Sequence, residues 1–381
     1  MKTILDKGCH VVSQAVKSAR VDMVAAYPIT PQTGIVEEIS TLVERGEMDC
    51  RFLPVEGEHS AMAACVAAAT VGARTFTATS SQGLLYMHEI LHMASGCRMP
   101  VVMANVNRGV FAPWTIWVDH QDSLSQRDTG WLQYYCASPQ EVYNTIIQSF
   151  KVAEQVHLPV MVNFDGFVLS HCAMPVQIPD QKVIDAFLPP LKPEWSFDTQ
   201  KPVSYAAVTP PEYYSLYREQ LNQATEEAKQ SMVEAASDYE KATGMWEGDL
   251  FETYLCEDAE VFILAMGSMA AEMRLTVDLL RKEGIKAAAL RLRVYRPFPR
   301  KELSAYLPQG SQLVVLDRSY AFGMDLGVLG VEAQAALYGR GQEVAVHNKI
   351  MGIGGTDVTY REMATAVKEL IHNNRDSKGG R

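Results

Sequence analysis

AAYPITPQT (residues 25–33) and EGEHSAMAA (residues 56–64) are the two stretches on which the fold of this 381-residue chain turns. The first runs an apolar strand end into a turn bracketed by Pro28 and Pro31 that carries a lone hydroxyl, Thr30. The second opens an almost wholly apolar helix, AMAACVAAATV over 61–71, with a carboxylate, Glu58, at its mouth. Desolvation disfavours the charged form of such a group, so a protonated or proton-sharing glutamate is expected. On position alone a first-turn acid is ordinarily a cap facing the positive end of the helix macrodipole.

Outward from these stretches, short apolar runs alternate with helical patterns, as a parallel α/β sheet requires. Residues 22–27 read as a strand and 32–45 as a helix, then 74–79 (RTFTAT) as a strand. Ser80-Ser81-Gln82-Gly83 opens a helix expected to run through His88 and Met93. A continuous apolar strand follows at 100–106 (PVVMANV), an amphipathic helix at 141–156 and a last strand at 159–164. Ligands of open parallel sheets bind beyond the carboxyl ends of the strands, and Thr30, Ser80, Ser81 and Arg108 all fall there.

From 175 to about 211 prolines are dense and periodicity is lost, which predicts a linker or a surface-hugging arm. The charged stretch 212–243 carries apolar positions at helical spacing and is expected to pack as a helix or helical hairpin on its own protein or a neighbouring subunit. A second α/β unit begins near Ala259, with strands at 261–267, 286–292 and 313–316 and a helix at 269–283. Gly267-Ser268 has the form of an anion-binding helix start, though a lone glycine turn does not specify one. The expected domains are 1–174, 175–255 and 256–381.

With 48% hydrophobic residues the chain can bury large cores. Its net charge of −11 is dispersed, against nucleic acid as a partner. Seven cysteines without a C-x-x-C pair argue against a disulfide framework and against cysteine-ligated zinc or iron–sulfur clusters in this chain. No apolar run reaches membrane-span length and no signal peptide opens the chain, so a cytoplasmic protein is expected. Asp119-His120-Gln121-Asp122 looks metal-like, but nothing nearby completes a ligand set, and a loop hydrogen-bond network is expected instead of a metal site. His59 and His88 are expected to be structural.

The segments YPITPQT (27–33), EGEHSAM (56–62), ARTFTATSSQGL (73–84), Asn107-Arg108, DHQDS (119–123) and QRDTGW (126–131) occur in a telling order and spacing. Residues 20–170 closely resemble the alpha subunit, or first catalytic module, of the 2-oxoacid:ferredoxin oxidoreductase family. The resemblance continues more weakly to about residue 370 through Gly267-Ser268-Met269 and RPFP (296–299). It implies an α/β fold in which a thiamine-diphosphate-enzyme pyrimidine-type parallel-sheet domain is followed by a transketolase C-terminal-like α/β domain. It also implies catalytic roles for three residues. Glu58 would contact the pyrimidine nitrogen, shifting the tautomer so that the exocyclic nitrogen can take the thiazolium proton. Thr30 and Arg108 would bind the substrate carboxylate, for which the planar guanidinium fork is suited. Pro28, Ile29, Ser80, Ser81 and Gln82 would join Glu58 in lining the cofactor pocket.

The chain carries no Gly-Asp-Gly followed by an Asn-rich metal-ligand segment and no cysteine cluster. The resemblance therefore implies that thiamine diphosphate is shared with a beta subunit that holds the diphosphate and Mg2+. Iron–sulfur clusters would lie in other subunits, with gamma and ferredoxin-like delta subunits in the assembly. Coenzyme A would accept the acyl group, and ferredoxin or an NAD-reducing subunit the electrons.

The loop after the arginine reads RGVFAPWTIW (108–117). Pyruvate-specific relatives tend to carry a small residue three positions after the arginine and an aliphatic one six positions after it, where this chain has Phe111 and Trp114. Pro113-Trp114, with FLPP at 187–190, is similar to relatives acting on branched-chain 2-oxoacids, and aromatic faces also suit phenylglyoxylate. Phe111, Trp114 and Ile116 are thus expected to line the substrate pocket of a bulky 2-oxoacid such as 2-oxoisovalerate or phenylglyoxylate. The same bulk would favour pyruvate if the rings shrink the pocket. A non-catalytic assembly subunit is opposed by the joint presence of Thr30, Glu58 and Arg108. A thiamine decarboxylase or transketolase-like enzyme without electron transfer is opposed by the run of motifs.

Overall fold

Strands covered by helices on both faces read as near-continuous apolar runs, and Met23–Ala26, Thr75–Thr79, Val101–Asn107 and Val160–Asp165 are buried throughout their lengths. In the computed structural model, which describes residues 1–193, 196–200, 202–341 and 343–378, these strands form the centre of a seven-stranded sheet. Its order is Val294–Arg296, Leu132–Tyr135, Val160–Asp165, Val101–Asn107, Thr75–Thr79, Met23–Ala26 and Arg51–Pro54. All neighbours run parallel except the first pair. The helix Glu58–Thr70 lies on one face, its alanines allowing close approach to Met23, Ala25 and Met103. Cys65 is fully buried there, its thiol donating to the Phe76 carbonyl at 3.4 Å.

A second, five-stranded sheet has the order Ala345–Ile350, Gln312–Asp317, Val261–Ala265, Ala287–Leu292 and Phe251–Tyr254, with only the last strand antiparallel. Among the described residues no helix is long and apolar enough to cross a membrane.

Several elements differ from the expectations. The helix expected from Ser80 through Met93 is two, Ser81–Tyr86 and His88–Gly96, meeting at the buried Met87. The segment expected as linker or arm begins with regular structure: Ala173–Ile178 pairs antiparallel with Lys2–Lys7, and Gln181–Phe187 is helical. Backbone pairing tolerates Pro175 there because a two-stranded ribbon leaves outward-facing N–H positions unused. Of the two forms expected for 212–243, the single helix is the one present, Pro211–Thr243, 33 residues long and ended by Gly244 at a φ of 75°. The helix expected at 269–283 starts as a tighter 3-10 segment, Ser268–Glu272, before Met273–Lys282.

The two sheets are tied by a buried ion cluster. Glu141 sits in the first turn of the helix Pro139–Val156, where Ser138 Oγ accepts from its backbone N–H at 3.1 Å. Arg291 Nη1, on the second sheet, donates to both oxygens of the Glu141 carboxylate at 2.8 and 2.7 Å. Arg293 Nε, just before the strand that joins the first sheet, donates at 2.6 Å. Burial alone would raise the Glu141 carboxyl, but the two guanidinium groups more than offset it and hold it below its usual value. Its stabilising contribution is therefore present at neutral pH and lost as pH falls through that lowered value. Glu141→Gln leaves Arg293 without a carboxylate partner, and breaking a buried pair costs about 3–5 kcal/mol. Denaturant titration of the variant should show a clearly earlier unfolding midpoint, and an unchanged one would show that the cluster contributes nothing net.

Candidate active site

The Pro-bracketed turn is held from beneath by Gln32. Its side chain is fully buried, with Nε2 donating to the Ala78 carbonyl at 3.0 Å and Oε1 accepting from Ile29 N at 3.2 Å. The turn is thereby locked to the end of the neighbouring strand. Pro28 and Thr30 face solvent and Ile29 is half-buried.

Glu58 opens its helix behind Gly57 and is only 7% exposed. Its carboxyl leans over Gly83: a Cβ there would lie 2.4 Å from Glu58 Oε1 and 2.6 Å from Thr79 Oγ1, so only glycine fits. Burial pushes the carboxyl above its usual value, opposed by the residue's own backbone N–H. Among the described residues no other side chain hydrogen-bonds it, and the buried Thr79 hydroxyl beside it has no partner. The site thus holds a carboxyl that burial shifts upward and that no side chain engages.

Arg108 follows the strand Val101–Asn107 and is 4% exposed. Nη1 donates to the Thr30 carbonyl at 2.7 Å and Nε to the Thr115 carbonyl at 3.1 Å. The expected pair Thr30 and Arg108 is therefore brought together, through the Thr30 backbone, and Nη2 keeps its donors uncommitted among the described residues. Asp122 organises this corner. Fully buried, its carboxylate accepts from Ser81 N (3.0 Å), Asn107 Nδ2 (2.8 Å), Arg108 N (3.1 Å), Ser123 N (2.7 Å) and Asn105 Nδ2 (3.3 Å). Burial pushes it up to about 6 against these donors.

Ser80 and Ser81 are fully buried, and their hydroxyls donate to the carbonyls of Val106 (2.7 Å) and Gly109 (2.8 Å). Both side chains are thereby committed to the backbone of the Arg108 strand and loop. Gln82 is half-buried, its side-chain amide meeting Ser81 Oγ.

The loop from Gly109 closes on itself where Gly109 N donates to the Trp117 carbonyl at 2.9 Å. Phe111, Trp114 and Ile116 project from it, 56%, 74% and 37% exposed, with the Phe111 and Trp114 rings 6.0 Å apart. They line a rim open to solvent rather than an enclosed pocket within this chain.

The Asp119–Asp122 run turns its acids and histidine to separate partners. His120 Nε2 meets Asp165 Oδ1 at 2.8 Å, while Asp165 Oδ2 accepts from Arg318 Nη1 (2.7 Å) and Ser268 N (3.0 Å). The turn at Gly267-Ser268 does hold an anion, the chain's own Asp165 carboxylate. His120 and Arg318 outweigh the burial of Asp165 and keep it far below the usual carboxylate value. His59 lies 3.5 Å from Glu89, and His88 Nδ1 meets Gln126 Oε1 at 2.5 Å. Sequence reasoning quoted Gln32 and Asn107 within motifs without giving them a role, and missed Asn105, Asp165 and Arg318. The two asparagines interrupting the apolar run 101–107 were the available signal, since polar groups inside a buried strand require partners.

Residues 14–237 match the family described as "Pyruvate flavodoxin/ferredoxin oxidoreductase, thiamine diP-bdg", and residues 259–363 match "Pyruvate:ferredoxin oxidoreductase core domain II". The chain is 43% identical over 364 residues to "Ketoisovalerate oxidoreductase subunit VorA" of Pyrococcus horikoshii, covering 95% of this chain and 92% of that one. It is 40% identical over 374 residues to "Pyruvate synthase subunit PorA" of Methanocaldococcus jannaschii, covering 97% and 95%. Among solved structures, a 2-oxoglutarate:ferredoxin oxidoreductase from Magnetococcus marinus superposes with a TM-score of 0.72 at 18% identity. The match covers 96% of this chain, which spans 65% of that longer one. A split-gene transketolase superposes with a TM-score of 0.55 at 14% identity, covering 96% of both chains. These two likenesses are of fold, whereas the family matches and the full-length identities are of sequence. Together they assign the chain to the 2-oxoacid:ferredoxin oxidoreductase family, in which it is an alpha subunit with a thiamine-diphosphate-binding domain.

Proposed function

We propose that this alpha subunit serves a cytoplasmic, coenzyme-A-acylating complex that oxidatively decarboxylates a bulky 2-oxoacid, branched like 2-oxoisovalerate or aromatic like phenylglyoxylate. The observation that carries the reading is the convergence at one sheet edge of an uncommitted carboxyl, Glu58, and an arginine with free donors, Arg108. Thiamine diphosphate, when bound, supplies the electron sink for decarboxylation. Glu58 fits it: a buried carboxyl with no side-chain partner can hold a proton at a ring nitrogen. Pro28 and Ile29 offer an apolar edge beside it. Ser80 and Ser81 act by fixing the Arg108 strand and loop, and Gln82 stands at the helix opening.

Arg108 binds the substrate carboxylate through its remaining donors, with the exposed Thr30 hydroxyl as a second contact. Phe111, Trp114 and Ile116 form the side-chain wall and exclude water once the face is covered. A beta subunit holding the diphosphate and Mg2+, iron–sulfur clusters on gamma and delta subunits, and ferredoxin or an NAD-reducing subunit as acceptor complete the reading. The sequence supports this division, since it lacks the Gly-Asp-Gly segment and any cysteine cluster. Pyruvate is the competing substrate, because relatives of the ketoisovalerate and pyruvate types are comparably similar. The exposed, projecting rings favour the bulky one, since side chains open to solvent leave room for a larger substrate group.

Calorimetric titration of the isolated chain with thiamine diphosphate should show no tight stoichiometric binding, whereas tight binding without a partner would sink the split site. Glu58→Gln in the complex should retain cofactor but lose turnover by about a hundredfold to ten-thousandfold. Exchange of the thiazolium proton reads that step directly, and a wild-type exchange rate would reduce Glu58 to a cap. Arg108→Lys should lower kcat/KM for every 2-oxoacid alike by about 1.5–3 kcal/mol. Trp114→Ile should instead reorder a panel of pyruvate, 2-oxoisovalerate, 2-oxoglutarate and phenylglyoxylate, by about 1–3 kcal/mol. A wild-type preference for pyruvate would overturn the bulky-substrate reading.

A further inference from the structure

The geometry points to Arg318, on the second sheet, as a positioning residue for Arg108, acting through the loop that carries Phe111 and Trp114. This inference rests on the reading of Arg108 as the carboxylate-binding group. Arg318 follows the strand Gln312–Asp317 and is 4% exposed. Its guanidinium holds Asp165, Asp165 holds the His120 ring, and the Arg318 carbonyl accepts from His120 N at 3.0 Å. A second strut runs in parallel. Gly355 N donates to the Val118 carbonyl at 2.9 Å, and Gly355 lies so close to Trp117 that a Cβ there would sit 2.7 Å from the Trp117 Cβ.

The loop is therefore pinned at its two ends by different sheets. Its near end is fixed within the first sheet, where Asp122 holds Arg108 N and Ser81 Oγ holds the Gly109 carbonyl. Its far end, Val118 to His120, takes backbone bonds from Gly355 and to Arg318 of the second unit, besides the His120 ring contact with Asp165 and the Gly109–Trp117 bond within the loop. Between them Thr115 presents the carbonyl that Arg108 Nε grips, so a shift of the far end moves Thr115 and re-aims the guanidinium. Joining the sheets does not require this arrangement, since Glu141, Arg291 and Arg293 already do so elsewhere. What the Arg318 network adds is a fixed height for the loop above the carboxyl ends of the first sheet. Displacements of about 1 Å remote from the reacting atoms can cost about a hundredfold, read here in kcat/KM through the grip on the substrate carboxylate.

The test uses the assembled complex with two kinds of variant. Gly355→Ala adds a methyl against Trp117, at a φ of +77° that strains alanine, and removes no charge. Arg318→Lys keeps the cation on Asp165 but loses the fork, with Arg318→Ala as the full deletion. Gly355→Ala and Arg318→Ala should raise KM for the 2-oxoacid by about tenfold to a hundredfold. Their kcat should stay within about twofold, and thiamine diphosphate affinity should not change. Arg318→Lys should recover part of the loss. Backbone amide exchange across 108–121 should quicken in step with KM. Unchanged KM and unchanged exchange in Gly355→Ala and Arg318→Lys would overturn the inference. So would a fall in kcat and thermal stability at constant KM, the mark of a merely structural residue. A normal KM in Arg108→Lys would instead remove the reading of Arg108, and the exchange measurement still decides whether the second sheet holds the loop.

Discussion

A buried carboxylate is unfavourable unless donors surround it, and the carboxyl ends of the first sheet are arranged to surround Asp122. Asn105 and Asn107 interrupt an otherwise apolar strand to reach it, and Ser81 turns its N–H toward it from a left-handed conformation with a φ of 49°. Such a conformation persists in a residue other than glycine only where the surroundings over-determine it. Arg108 takes its backbone direction from the same oxygen as Ser81. The helix that approaches Glu58 at Gly83 and the strand that delivers Arg108 are thus referenced to one charge.

Asp165 repeats the principle one strand over, but its donors come from both sheets. His120 belongs to the loop beside the site, while Ser268 and Arg318 belong to the second α/β unit. The Glu141 cluster joins the same two sheets away from the chemistry. Two acids thus divide the task of holding the halves together. Only one of them, Asp165, reaches the loop that follows Arg108, by way of His120.

The positions of Thr30, Glu58 and Arg108 at strand and helix ends were legible because hydrophobic runs and Pro or Gly punctuation mark those ends in any parallel sheet. Their mutual approach was not, since the bond from Arg108 to the Thr30 carbonyl spans a sequence separation no local pattern encodes. The strand Val294–Arg296 escaped notice for a similar reason. It is three residues long and belongs to the first sheet although it follows strands of the second. Leu132–Tyr135, with its central Gln133 and paired tyrosines, lacks the aliphatic signature of its neighbours. Ser80 and Ser81 were found by position, but their burial under the Arg108 loop depends on tertiary packing alone.

The rim of Phe111, Trp114, Ile116 and Trp117 has a cost outside catalysis. Clustered apolar side chains left in water promote self-association, and these four stand 37–74% exposed. Left uncovered, such a rim is an adhesive surface, and solubility then depends on what shields it.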